Sequence, residues 1–171
     1  MLQNCRSFSD TINLDRKGHV MREFKKILFA TDFSEISEYA FDYALTLAEK
    51  FGSRLIIIHV INEPVDLRGF YVPHISFESI EHEIALSAEK MMDKFCAQKL
   101  KSYANFEKCT VTGIPYEEVL RKAETEHVDL IVLGTHGRAG IDHFLFGSTA
   151  ERVVRKSSCP VMSVRPVESA V

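Results

Sequence analysis

The chain lacks the residue groupings that mark most metal, redox and phosphate sites. Its four cysteines, Cys5, Cys96, Cys109 and Cys159, are too far apart in sequence to form a CxxC pair. Cys96, Cys109 and Cys159 therefore read as small buried apolar residues, and Cys5 as a free thiol. The seven histidines are scattered, with no HExxH or comparable ligand spacing. No apolar run approaches the roughly 18 residues of a membrane helix, so no spanning segment is expected. The opening stretch MLQNCRSFSDTINLDRKGHVMREF has no apolar h-region. No secretory signal is expected from it, and cytoplasmic residence is the default expectation. The net charge of −3 singles out neither nucleic acid nor an anionic membrane as a partner.

What is present is the material of one soluble domain. At 171 residues, 46% of them hydrophobic, the chain can bury one good core. Residues 1–23 are polar and without a sustained period, and read as a flexible arm ahead of a domain over 24–171. Ile27, Leu28, Phe29 and Ala30 form a short continuous apolar run, as in a strand covered on both faces. Ser34 is a helix N-cap candidate, and Ala40, Ala44, Leu47, Ala48 and Phe51 recur at helical spacing up to Gly52, a C′ glycine. Leu55 to Val60 make a second buried strand. Residues 62–76, with two prolines and a glycine, read as a loop. Ile80, Ile84, Ala88, Met91 and Phe95 mark a second helix. Phe106, Cys109 and Val111 give a weaker strand near an edge. Pro115 opens a short helix ending near Glu126. Residues 129–134, DLIVLG, are a fourth strand. A helix follows from about Ser148 to Lys156, then a fifth strand over 159–164. Strands alternating with helices predict an α/β domain with a doubly wound parallel sheet. Ligands of such sheets lie beyond the carboxyl ends of the strands, where strand order reverses.

The joint GTHGRAGIDHFLFGSTAE, residues 134–151, is the chemically suggestive one. Its glycines are spaced Gly134-x2-Gly137-x9-Gly147-Ser148, with Gly140 an ordinary loop residue. Glycine lets backbone amides approach a ligand closely. The free N–H groups and dipole of the following helix favour an anion there, without a lysine. The joint is neither a GxxxxGK[ST] phosphate loop nor GxGxxG. A second reading stands beside this one. Ser148-x-x-Glu151 is a capping box, and Gly134 and Gly137 then only end a strand and turn. TDFS, residues 31–34, also follows a buried strand and opens a helix. If strands 1 and 4 are neighbours, Asp32 faces the glycine loop. There it can hold Mg²⁺ or a ribose hydroxyl, or simply cap the helix.

These segments together resemble the universal stress protein family. The glycine spacing, ILFATDFSE before it, LIIIHV between and CPVMSVRP after it carry the likeness over roughly residues 24–166. The resemblance implies an adenine nucleotide alpha hydrolase-like, five-stranded parallel sheet of order 3-2-1-4-5. It also implies membership of the subgroup that binds ATP. Taken residue by residue, it sets Asp32 against the ribose or a metal, with Thr31 beside it in the same turn, and the backbone of Val60 against adenine. Ala30 stands near the base, where family ATP binders often carry proline. Leu133 and Gly134 border the ribose and phosphates. Gly137, Gly147, Ser148 and Thr149 offer amides and hydroxyls to the phosphates. His136, Arg138 and His143 can add positive charge, or for Arg138 and His143 form a solvated loop surface. The implied ligand is ATP, AMP or ADP, with Mg²⁺ as its possible companion. The resemblance also implies a homodimer by antiparallel pairing of the last strands, through Val161, Met162, Ser163 and Val164. Shielding of that edge by Arg165, Pro166 and the tail is the alternative.

The expected function is regulatory nucleotide binding. Asp142 and Glu151 are the only acidic residues close in sequence to the loop, and neither has a motif that makes it a hydrolytic base. Slow ATP hydrolysis and a nucleotide-independent dimeric interaction module are the alternatives. Adenylating signatures of the SGGxDS and HIGH types are absent.

Overall fold

Buried apolar runs alternate with amphipathic stretches along the chain, and each becomes the element its period predicts. In the computed structural model these are β1 (Lys26–Thr31), α1 (Glu35–Phe51), β2 (Arg54–Asn62), α2 (Phe77–Lys99) and β3 (Phe106–Gly113). Then follow α3 (Pro115–Glu126), β4 (Leu130–Gly134), α4 (Ser148–Lys156) and β5 (Val161–Val164). The structure describes residues 23–62, 77–135 and 147–166. The arm over 1–22, the segment 63–76 and the loop residues His136, Gly137, Arg138, Gly140, Asp142 and His143 lie outside them.

The five strands form one parallel sheet in the order β3-β2-β1-β4-β5. Successive side chains of a strand point to opposite faces, so the sheet serves two cores. Ile27, Phe29, Leu55, Ile57 and Val132 face α1 and α2, with Phe41, Ala44, Met92 and Phe95. Leu28, Ile56, Ile58, Ile131 and Leu133 face α3 and α4, with Val119, Ala123, Ala150 and Val153. Burial on both faces explains why β1, β2 and β4 read as unbroken apolar runs.

Helix ends follow local chemistry. The Oγ of Ser34 accepts the Ser37 amide at 3.2 Å, and Gly52 ends α1 with φ 65°. Pro115 opens α3, and His127 closes it in the left-handed region.

Three sequence expectations are corrected. Ser148 is not the N-cap of α4. Gly147 is, no side chain caps that end, and Glu151 donates its N–H to Gly147 O at 3.0 Å. Because the Gly147 amide is drawn to Thr135 O at 2.7 Å, Gly147 takes the cap position and Ser148 enters the helix. The capping box is therefore not formed. Cys96 is buried as expected, but Cys109, on the edge strand, and Cys159, in the turn before β5, are only half-buried. Finally, the apolar stripe expected for α2 is buried only in part. Ala88 and Phe95 are covered, but Ile80, Ile84 and Met91 are 43%, 42% and 37% exposed, and Met92 rather than Met91 enters the core. At about 1.5 Å per residue this 23-residue helix is longer than the 8-residue strand β3.

Candidate functional site

Register decides which candidate residues meet. Ala30 on β1 pairs with Ile58 on β2 and with Leu133 on β4. Two residues further along each strand stand Asp32, Val60 and Thr135. Asp32 and Thr135 directly follow the last residues of β1 and β4, and Val60 lies at the same level near the carboxyl end of β2, at the place where the strand order reverses. Ala30, Val60, Leu133 and Ala150 belong to the same apolar cluster, on the α3 and α4 face of the sheet. The floor of the crevice is thus apolar, and its rim is polar.

One rim is the turn after β1. Thr31 is 6% exposed, and its hydroxyl accepts the Phe33 amide at 3.0 Å and pairs with the Ser37 hydroxyl at 3.0 Å. Its side chain is thereby committed to α1. Asp32 is half-buried, and its Oδ1 accepts the Ser34 amide at 3.1 Å. The turn thus orients the carboxylate and, through Ser34, starts the helix.

The other rim is the joint between β4 and α4. Thr135 N–H donates to Val164 O at 2.9 Å, and Thr135 O accepts the Gly147 N–H. The two ends of the 136–146 loop are therefore clamped together at the mouth of the crevice. Gly147 has spent its amide on this clamp. The next three amides, those of Ser148, Thr149 and Ala150, have no backbone partner among the described residues. They form the positive end of α4, suited to an anion. No hydrogen bond from the hydroxyl of Ser148 or Thr149 forms among the described residues. The carboxylate of Glu151 leans along the helix to Arg155 at 3.6 Å, away from this end.

The structure therefore brings together Ala30, Thr31, Asp32, Val60, Leu133, Gly134, Gly147, Ser148 and Thr149. His136, Gly137 and Arg138 lie outside the described residues. Sequence reasoning passed over Thr135, 4% exposed, which holds both ends of the loop. Its signal was its place directly after the buried strand. Among the described residues no three His, Cys, Asp or Glu side chains cluster as a metal site, so a cation here would rely on Asp32 and on oxygens of its ligand. No helix among the described residues is long and apolar enough to cross a membrane.

A doubly wound parallel sheet with an apolar floor, a carboxylate and an open helix N-terminus at its switch point defines an α/β protein whose crevice lies where ligands of such sheets bind. The family model described as "Universal stress protein family" matches residues 23–165. The chain belongs to that family. Universal stress protein YxiE of Bacillus subtilis is 33% identical over 147 residues, covering 83% of this chain and 99% of that one. Universal stress protein MJ0577 of Methanocaldococcus jannaschii is 29% identical over 154 residues, covering 83% and 95%. The solved structure of MJ0577 superimposes with a TM-score of 0.75 at 30% identity, over 86% of this chain and 100% of that one. A universal stress protein from Archaeoglobus fulgidus, solved in complex with dAMP, shares the fold with a TM-score of 0.59 at 19% identity, over 84% and 100%.

Proposed function

We propose that this chain binds an adenine nucleotide, ATP first among them, and acts as a nucleotide-responsive regulatory protein. The observation that carries the reading is the meeting of Asp32, Val60 and Thr135 at one level, beside the three open amides of α4. An apolar floor of Ala30, Val60 and Leu133 suits a base. A carboxylate suits a ribose hydroxyl or a phosphate-bound Mg²⁺, whose charge would screen the phosphates. Amides at a helix start suit the phosphates themselves. The A. fulgidus relative, solved with dAMP, supports the same class of ligand. In this reading nucleotide occupancy orders residues 135–147 and so alters a surface that partners read.

Binding is favoured over turnover. Glu151, the described acid in the first turn of α4, is turned to Arg155. Titration of nucleotide-stripped protein with ATP and Mg²⁺, with mass spectrometry of nucleotide released from fresh preparations, tests the reading. Saturable binding is expected, with turnover well below about 1 s⁻¹. Absence of binding at millimolar ATP would overturn it.

A homodimer through β5 belongs to the same proposal. β5 ends the sheet order, so one of its edges is left without a strand among the described residues.

A further inference from the structure

We infer that His59 and Phe33 are positioning residues that hold Asp32 from the opposite face of the sheet; the inference deepens the nucleotide-binding reading and rests on it. Two described residues other than glycine have positive φ, His127 and Phe33. His127 closes a helix, an ordinary place for that conformation. Phe33, at φ 61°, lies in the turn directly after Asp32. For a bulky side chain this conformation is strained, and surrounding structure must hold it. Glycine would adopt it freely. The ring is therefore what the turn gains in exchange for the strain.

That ring is gripped by other elements. Its centroid is 4.5 Å from the His59 ring and 5.9 Å from Phe95, which in turn packs on Phe41 at 4.9 Å. The backbone on the other side of Asp32 is held as well. His59 Nδ1 lies 2.8 Å from Thr31 O. A carbonyl only accepts, so Nδ1 carries the proton and donates. Both neighbours of Asp32 are thus tied to His59, on β2, and one of them also to Phe95, on α2. Both anchors lie on the α1 and α2 face, whereas the apolar floor of the crevice lies on the other. The angle at which Asp32 leaves the sheet is set by groups that need not touch the ligand.

The test is a double-mutant cycle on ATP affinity. His59→Phe keeps a ring beside Phe33 and removes the donor to Thr31 O. It is expected to weaken ATP binding about tenfold in the natural background and not at all beside Asp32→Ala. His59→Asn, which keeps a donor near the Nδ1 position, is expected to recover much of the loss. Phe33→Gly adopts the same φ without a ring to grip, and is expected to act in the same direction as His59→Phe. An equal loss in both backgrounds, or none in either, overturns the inference. Nucleotide-free protein supplies an independent reading, the NMR signal of the Ser34 amide bound to Asp32. It is expected to shift in His59→Phe and to return towards its natural position in His59→Asn. If the natural protein binds no ATP, the functional reading falls, and this signal alone decides the positioning role. An unmoved Ser34 amide then overturns it.

Discussion

At the scale of single residues, electrostatics supports the fold away from the crevice. Lys122 lies 3.1 Å from Glu126 and 2.9 Å from Glu107, and Lys26 lies 3.5 Å from Glu126. Arg54 also pairs with Glu107. One chain of alternating charges thus ties α3 to β1, β2 and β3. The hydrogen bond from Lys122, then its charge and that of Lys26, hold the Glu126 carboxyl below the ordinary carboxylate range. A carboxyl whose pKa is depressed by folding stabilises the protein above its unfolded pKa, and loses that contribution as pH falls through the folded value. Glu126→Gln is therefore expected to lower unfolding free energy at pH 7 by roughly 1 kcal/mol or less, the range of partly exposed pairs. The gap between natural protein and variant should close as pH drops below the carboxylate range. Urea titrations at several pH values check this, and a gap that stays constant down to acid pH would refute it. Cys109 differs. Burial raises its thiol pKa despite nearby Lys122, so it stays protonated and unreactive at neutral pH.

At the scale of elements, the decisive piece is the first turn of α4. Its open amides attract an anion whether that anion is a phosphate or a side chain. Thr149→Asp places a carboxylate in this turn, where it stabilises the helix by about 0.3–1 kcal/mol and competes with a bound phosphate. Melting temperature is expected to hold or rise, while ATP affinity falls by about tenfold or more. Calorimetric titration beside thermal melting separates the two effects. Unchanged affinity in a folded variant would remove α4 from the site. Nearly all of this architecture was legible in the sequence. Unbroken apolar runs gave the strands of a two-sided sheet, Ser34, Gly52 and Pro115 marked helix ends, and α3 and α4 have the bounds read from the sequence. What could not be read depended on partners distant in sequence. The bond from Gly147 to Thr135 moved the N-cap by one residue and dissolved an apparent capping box. The sheet's limited length left Ile80 and Ile84 exposed on a stripe that local period alone marks as core. Phe33 and His59 gave no local signal, since a turn conformation and a contact across two strands carry no periodicity.

At the scale of the whole molecule, the open question is what covers β5. Ile131 N–H donates to Pro160 O at 3.0 Å, and Thr135 N–H to Val164 O at 2.9 Å. In a parallel ladder, alternate residues of a strand face the same neighbour. Positions 160, 162 and 164 therefore face β4, and the backbone groups of Val161 and Ser163 face outward. Met162 packs at the margin of one core and Val161 at the margin of the other, both only half-buried. Antiparallel pairing of two β5 strands would satisfy the outward groups and continue both cores across the joint. Proline at position 163 deletes one outward N–H, leaves the ladder to β4 intact and is tolerated in an edge strand. Ser163→Pro is therefore expected to convert a dimer into a monomer of unchanged fold, read by sedimentation velocity and circular dichroism. The crevice opens at the β1–β4 boundary, one strand in from this edge, and every residue proposed to meet the ligand comes from a single chain. The monomeric variant should accordingly retain ATP binding within about threefold, since nothing at the site is removed. A natural protein that sediments as a monomer, or a Ser163→Pro variant that stays dimeric, would rule out β5 as the joint. A folded monomer that no longer binds ATP would show instead that the partner chain completes the site.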